Sequence, residues 1–95
     1  MLMIRMIVIS ERARKQLARV PRRIAEKLLG WVDLVVEDGL EEARRVPGYH
    51  DEPLRGDRLG QRSIRLNIHY RAIYEIRNNG TIEFVSVEEV NKHEY

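Results

Sequence analysis

The apolar residues of this chain change their spacing near its middle, and no other feature limits the possible fold as much. Between Pro21 and Pro47, Ile24, Leu28, Trp31 and Val35 recur at i, i+4, i+7 and i+11, the stripe that one face of an α-helix turns to a core. Beyond residue 61, Ile64 and Leu66 alternate with Ser63, Arg65 and Asn67, the period of a half-buried strand. A chain of 95 residues that holds the two patterns in succession reads as an α+β protein, one domain over residues 1–95.

Local signals divide the chain further. Residues 3–9 are an apolar run rich in Ile and Met and read as an N-terminal strand. Ser10 is a good N-cap, and Glu11 puts a negative charge in the first turn of a helix predicted over residues 11–20. Pro21 disfavours helical geometry at Val20 and suits the opening of a second helix. Gly39 stops that helix, and a short helical turn over residues 40–46 ends at Pro47 and Gly48. Pro53, Gly56 and Gly60 mark a loop over residues 49–61. Strands follow over residues 62–67, 70–77 and 81–90, the last two joined by a hairpin turn at Asn78, Asn79 and Gly80. The expected order is β-α-α-β-β-β, an N-terminal strand and then a helical hairpin packed on one face of a mainly antiparallel sheet. That arrangement leaves the other face open, a natural place for a site on a small domain.

Several chemistries are excluded. There is no cysteine, hence no disulfide framework, thiolate metal site or cysteine nucleophile. No apolar run approaches the ~20 residues needed to span a bilayer. No small-residue cleavage site follows the apolar start, so the expectation is a cytoplasmic protein without membrane contact. His50, His69 and His93 lack metal-ligand spacing, and Gly56 and Gly60 make no phosphate loop. Ser10, Ser63 and Ser86 form no nucleophile elbow. Neither metal nor cofactor is expected.

The net charge of +2 hides two basic blocks. Residues 1–30 carry +6 and residues 61–80 carry +3, diluted by acidic stretches around them. Of the 17 cations, 14 are arginine, whose planar fork of donors suits phosphate; a genome rich in arginine codons gives the same bias. In the second half the cations mix with polar rings: Tyr49, His50 and Asp51, then Arg55 and Arg58, Arg62 and Arg65, Arg71 and Arg77, and finally Lys92, His93 and Tyr95. Such a set fits a phosphodiester. Arginines stabilise phosphate and the extra charge of its transition state, a histidine moves protons near neutral pH, and tyrosines stack on unpaired bases. RNA would supply its own 2′-hydroxyl nucleophile. The same arginines equally suit a plain solvated sheet face, and the cations of residues 12–23 a solvated helix face. Whether Arg65 and Arg71 share a face depends on the turn between them: an odd-length loop aligns them, an even one sets Arg71 opposite Leu66.

The stretch from Pro53 to Asn67 (PLRGDRLGQRSIRLN), followed by Tyr70-Arg71-Ala72-Ile73-Tyr74, resembles the core of the RelE/ParE superfamily of bacterial toxins, most closely the HigB type. The spacing of Arg65, Asn67, Arg71 and Tyr74 is also similar to YoeB. The resemblance covers residues 47–95 by motif. It implies a toxin of a type II toxin–antitoxin pair with a microbial-ribonuclease-like fold, one that cleaves mRNA on the 70S ribosome without metal by 2′-hydroxyl attack. It also implies a cognate antitoxin partner, itself often DNA-binding, in a hetero-oligomer. By the same resemblance Arg71 stabilises the transition-state phosphate and Arg65 is a second basic position, while His93 and Tyr95 act as acid/base and stacking or orienting residues. Arg55, Arg58, Arg62, Lys92, Tyr70 and Asn67 complete the expected RNA surface. Arg55 stands where HigB-type motifs carry lysine, and His93-Glu94-Tyr95 departs from their Asp-Tyr-His ending. A ParE-like gyrase poison and a non-catalytic binding domain are the alternatives that share the fold.

Overall fold

The computed structural model describes residues 3–92; His93 and Tyr95 lie outside the described residues. Strand β1 (Ile7–Ile9) leads into α1 (Glu11–Leu17), α2 (Arg22–Asp38) and α3 (Leu40–Arg44). Strands β2 (Glu52–Pro53), β3 (Gln61–Arg65), β4 (Tyr70–Asn78) and β5 (Glu83–Lys92) follow. They form one sheet in the order β1-β5-β4-β3-β2, antiparallel except where β1 runs parallel to β5. Short 3-10 turns at Pro47–Tyr49 and Gly56–Arg58 flank β2. The expected α+β arrangement is therefore present, with one edge strand, β2, hidden in what reads as a loop.

The core sits between α2 and the sheet. Ile24, Leu28, Trp31 and Val35 are buried along α2 and meet Ile64, Ala72, Tyr74, Val85, Val87 and Val90. The rings of Trp31 and Tyr74 pack tilted, 4.9 Å apart, the offset that the ring quadrupoles favour. Helix α1 is capped by Ser10, whose Oγ accepts from the Ala13 N–H. It ends at Leu17, three residues earlier than expected, and the chain turns before Pro21. Because β1 pairs only as far as Val87, the outer edge of β5 is bare beyond it. Helix α1 covers that edge, and the Gln16 Oε1 accepts the Val90 N–H at 2.7 Å, replacing a ladder bond with a side chain.

The N-terminal run also differs from expectation. The strand begins at Ile7, because the Ile4 carbonyl is drawn away to accept the Leu40 N–H at the start of α3. The chain bends sharply between α2 and α3 at Gly39, whose φ of 88° and ψ of 157° belong to a region essentially closed to residues with a Cβ. We predict that Gly39→Ala lowers stability by about 1–3 kcal/mol, read from urea unfolding midpoints; an unchanged midpoint would contradict the role given to this bend.

Candidate functional site

The loop between β3 and β4 decides which side chains meet. Five residues, 66–70, separate Arg65 from Arg71, and the two arginines are paired directly across the strands. That register is the aligned alternative, and both guanidiniums emerge on the face away from the core. Asn67 closes this turn, its Oδ1 accepting the N–H groups of His69 and Tyr70 at 2.7 and 2.8 Å, the Asx pattern of a tight loop. The Arg65 side chain has neither an ion pair nor a hydrogen bond among the described residues. The Arg71 Nε donates to the Asn91 Oδ1 at 3.4 Å.

The opposite lip comes from residues 49–53. Tyr49 is buried against α2, where its hydroxyl donates to the Lys27 carbonyl at 3.0 Å and the Lys27 ammonium lies over its ring. Gly30 makes room for it, since a Cβ there would stand 3.3 Å from the Tyr49 oxygen; burial raises the Tyr49 phenol above its ordinary range. On the other side of His50, Asp51 is held twice. The Arg62 Nε donates to its Oδ1 at 2.6 Å and the Tyr74 hydroxyl to its Oδ2 at 2.5 Å. Burial, with the bond to Asp51, keeps the Tyr74 phenol protonated far beyond its ordinary range. Between these two anchors His50 adopts a left-handed conformation with φ of 44°, unique among the described non-glycine residues.

Between the lips lies a cavity of about 150 Å³ lined by His50, Glu52, Ser63, Arg65, Asn67, Ile68, Tyr70 and Arg71. It brings together two guanidiniums, an imidazole and one carboxylate. No group of His, Asp or Glu among the described residues is arranged to hold a metal ion.

The expected residues therefore separate. Arg65, Arg71, Asn67 and Tyr70 line the cavity, Tyr70 while also packing on the core. Arg62 does not: alternation along β3 turns it to the core face, and it serves Asp51 instead. Arg58 lies part-buried across the open face, pairing with the Glu89 carboxylate at 2.6 and 3.2 Å, so its charge is spent within the protein. Arg55 and Lys92 are exposed outside the cavity. His50 and Glu52 are the residues that sequence reasoning left unassigned. Glu52 belongs to a strand of two residues, too short to show a period, and Pro53 after it, a residue confined to sheet edges, was the available signal.

Solved structures similar to this chain include toxins and toxin–antitoxin complexes. The YoeB/ParE toxin from Agrobacterium tumefaciens is 24% identical, with a TM-score of 0.65 over 94% of this chain and 99% of that one. YafQ from E. coli is 20% identical, with a TM-score of 0.72 over 94% and 93%. The RelBE2 toxin–antitoxin complex from Mycobacterium tuberculosis is 23% identical, with a TM-score of 0.65 over 95% and 99%. At these identities the likeness defines the fold. A search of curated proteins by sequence gives no match. The family model described as "ParE toxin of type II toxin-antitoxin system, parDE" matches residues 7–90. The fold is that of a RelE/YoeB/YafQ-type toxin, and the chain belongs to the ParE toxin family of type II toxin–antitoxin systems, within the superfamily expected from its motifs.

The two arginines of β3 should behave oppositely. Arg62→Gln leaves Asp51 buried without its ion-pair partner and should cost about 3–5 kcal/mol in chemical denaturation. Arg65→Gln should stay within about 0.5 kcal/mol of the parent. Equal losses would refute the division of labour. The Arg58 pairing also holds the Glu89 carboxyl below its ordinary range. Its contribution is therefore complete above about pH 4.3, the ordinary glutamate value, and fades as pH falls through the lower folded value. Glu89→Gln should flatten the acid limb of a stability-against-pH curve.

Proposed function

We propose that this toxin is a metal-independent endoribonuclease that cleaves mRNA on the 70S ribosome and so inhibits translation. The observation that carries this reading is the pairing of Arg65 and Arg71 across β3 and β4, opposite Glu52 and His50 in one cavity. Like charges directly opposite on a sheet are unfavourable, so two guanidiniums in register with no ion pair among the described residues suit an anion between them. A phosphodiester fits that place. Its non-bridging oxygens gain two sets of charge-assisted donors, which count most when the phosphorus becomes pentacoordinate.

The reaction we assign is attack by the 2′-hydroxyl of the RNA. Glu52 takes the 2′-proton as the 2′-oxygen bonds to phosphorus, and the bond to the 5′-oxygen breaks. His93 supplies the proton to that leaving oxygen and Tyr95 stacks or orients, the roles the family resemblance gives these residues. The products are a 2′,3′-cyclic phosphate and a 5′-hydroxyl. Tyr70 and Asn67 line the rim of the site, where an unpaired base would lie. A cavity of about 150 Å³ falls below the ~300 Å³ at which small-molecule pockets begin. It holds the scissile phosphate rather than a length of RNA. The rest of the binding must come from elsewhere, and the +6 charge of residues 1–30 suits contact with ribosomal RNA phosphates. A cognate antitoxin is the expected protein partner. RelBE2, with which this chain shares its fold, was solved as a toxin–antitoxin complex.

Purified 70S ribosomes programmed with mRNA provide the test. Arg71→Ala should lower cleavage about 10²- to 10³-fold and Glu52→Gln by at least about 10²-fold, with thermal midpoints unchanged. If both variants cut like the parent, the site is misassigned. A second reading is favoured by one observation, the match to the ParE family model: inhibition of DNA gyrase. It predicts trapped gyrase–DNA cleavage complexes with intact mRNA.

A further inference from the structure

Arg71 has five N–H donors, yet a flexible guanidinium on an open sheet face is a poor oxyanion partner unless something aims it. In this chain the aim is traceable. The Glu89 side chain is only 8% exposed on β5, next to the register shift opposite Ile73 and Tyr74. Its carboxylate accepts both Arg58 bonds described above and stands 3.7 Å from the Arg12 guanidinium of α1. It accepts one bond more, from the Asn91 Nδ2 at 3.2 Å. Asn91 in turn is paired in register with Arg71 and accepts from its Nε.

The chemistry of these groups fixes the direction of the chain. An ionised carboxylate only accepts hydrogen bonds. The Asn91 amide must therefore turn its NH₂ to Glu89, which leaves its oxygen facing Arg71. That oxygen accepts the Nε–H and takes no bond from the terminal nitrogens. The two terminal nitrogens then have no partner among the described residues and stand side by side, the fork that binds two oxygens of one phosphate. We infer that Glu89, clamped by Arg58, and Asn91 are positioning residues that orient Arg71 for the phosphate. Arg58, expected on the RNA surface, acts here three links away from it.

The geometry makes the single and double substitutions behave non-additively. In Glu89→Gln, Arg58 still demands an acceptor and takes the new amide's oxygen, so its NH₂ faces position 91. Asn91 must then present its own oxygen to that NH₂, which turns its NH₂ against the Arg71 Nε–H, donor to donor. Asn91→Asp alone sets two carboxylates against each other. Together, Glu89→Gln and Asn91→Asp restore an unbroken donor-to-acceptor chain ending at Arg71.

The kinetic readout rests on the ribonuclease reading; a spectroscopic one does not. By NMR, the Arg71 Nε–H of the full chain should exchange slowly with solvent, lose that protection in Asn91→Leu, and regain it in the double variant. Free exchange of Arg71 Nε–H in the parent overturns the inference whatever the chain does to mRNA. In the ribosome assay, run at a temperature where circular dichroism shows every variant folded, each single variant should lose about 10- to 100-fold in kcat with little change in KM, and the double variant should recover most of it. Single variants that match the parent kcat while Arg71→Ala does not also overturn it, as does a double variant worse than both. A parent chain that leaves mRNA intact refutes the ribonuclease reading, and the NMR comparison then decides the positioning on its own.

Discussion

The buried carboxylate of Asp51 is the interaction on which the site depends. Its side chain is 1% exposed, and a carboxylate taken that far out of water is tolerated only with full pairing. Arg62 from β3 and Tyr74 from β4 supply it, and Tyr74 also stacks on Trp31 at the centre of the core. One charge thus ties the segment after α3 to two central strands and, through Tyr74, to α2. With Tyr49 anchored on α2 from the other side, the chain between has no freedom to leave. His50 and Glu52 are carried on that chain, and the left-handed turn at His50 is held in place by its neighbours rather than by its own preference.

The open face of the sheet is nearly neutralised from within. Arg77 pairs with Glu75 and Glu88, and Arg58 and Arg12 share Glu89. Ser86 adds a hydrogen bond to Glu88. Arg65 and Arg71 have no ion pair among the described residues, and they stand side by side. On that face, self-pairing of Arg12, Arg58 and Arg77 lowers non-specific attraction to nucleic acid, which depends on unpaired cations, and leaves the face's positive potential at one cavity. The net charge of +2 describes that balance as poorly as it describes the basic helices. Among the described residues, no helix is long and apolar enough to cross a membrane.

Much of the frame is visible in local pattern. The α2 stripe, the Ser10 cap, the stop at Gly39 and the hairpin at Asn78 to Gly80 each follow from interactions within a few residues, and local interactions are written in local sequence. The site is visible only in part. Arg65, Arg71, Asn67 and Tyr70 could be placed near it by motif. Arg62 and Arg58 carry the same side chain as Arg65, and composition cannot say that one turns inward to Asp51 and another reaches Glu89, 31 positions away. Glu52 was hidden because two residues of edge strand make no period, and His50 because a left-handed residue has no signature when it is not glycine.

The sequence by itself determined the class of architecture, the order of its main elements and the superfamily, because apolar periodicity, caps and turn residues act over short range and survive any detail of packing. Only the tertiary structure decided which arginines of the open sheet face have no ion pair among the described residues. That choice depends on the register that sets Arg65 opposite Arg71, on a short edge strand and on buried ion pairs between residues far apart in the chain. A one-residue change in register would turn Arg71 into the core and leave the composition untouched. The site is therefore a property of the register, and the register is held by the core.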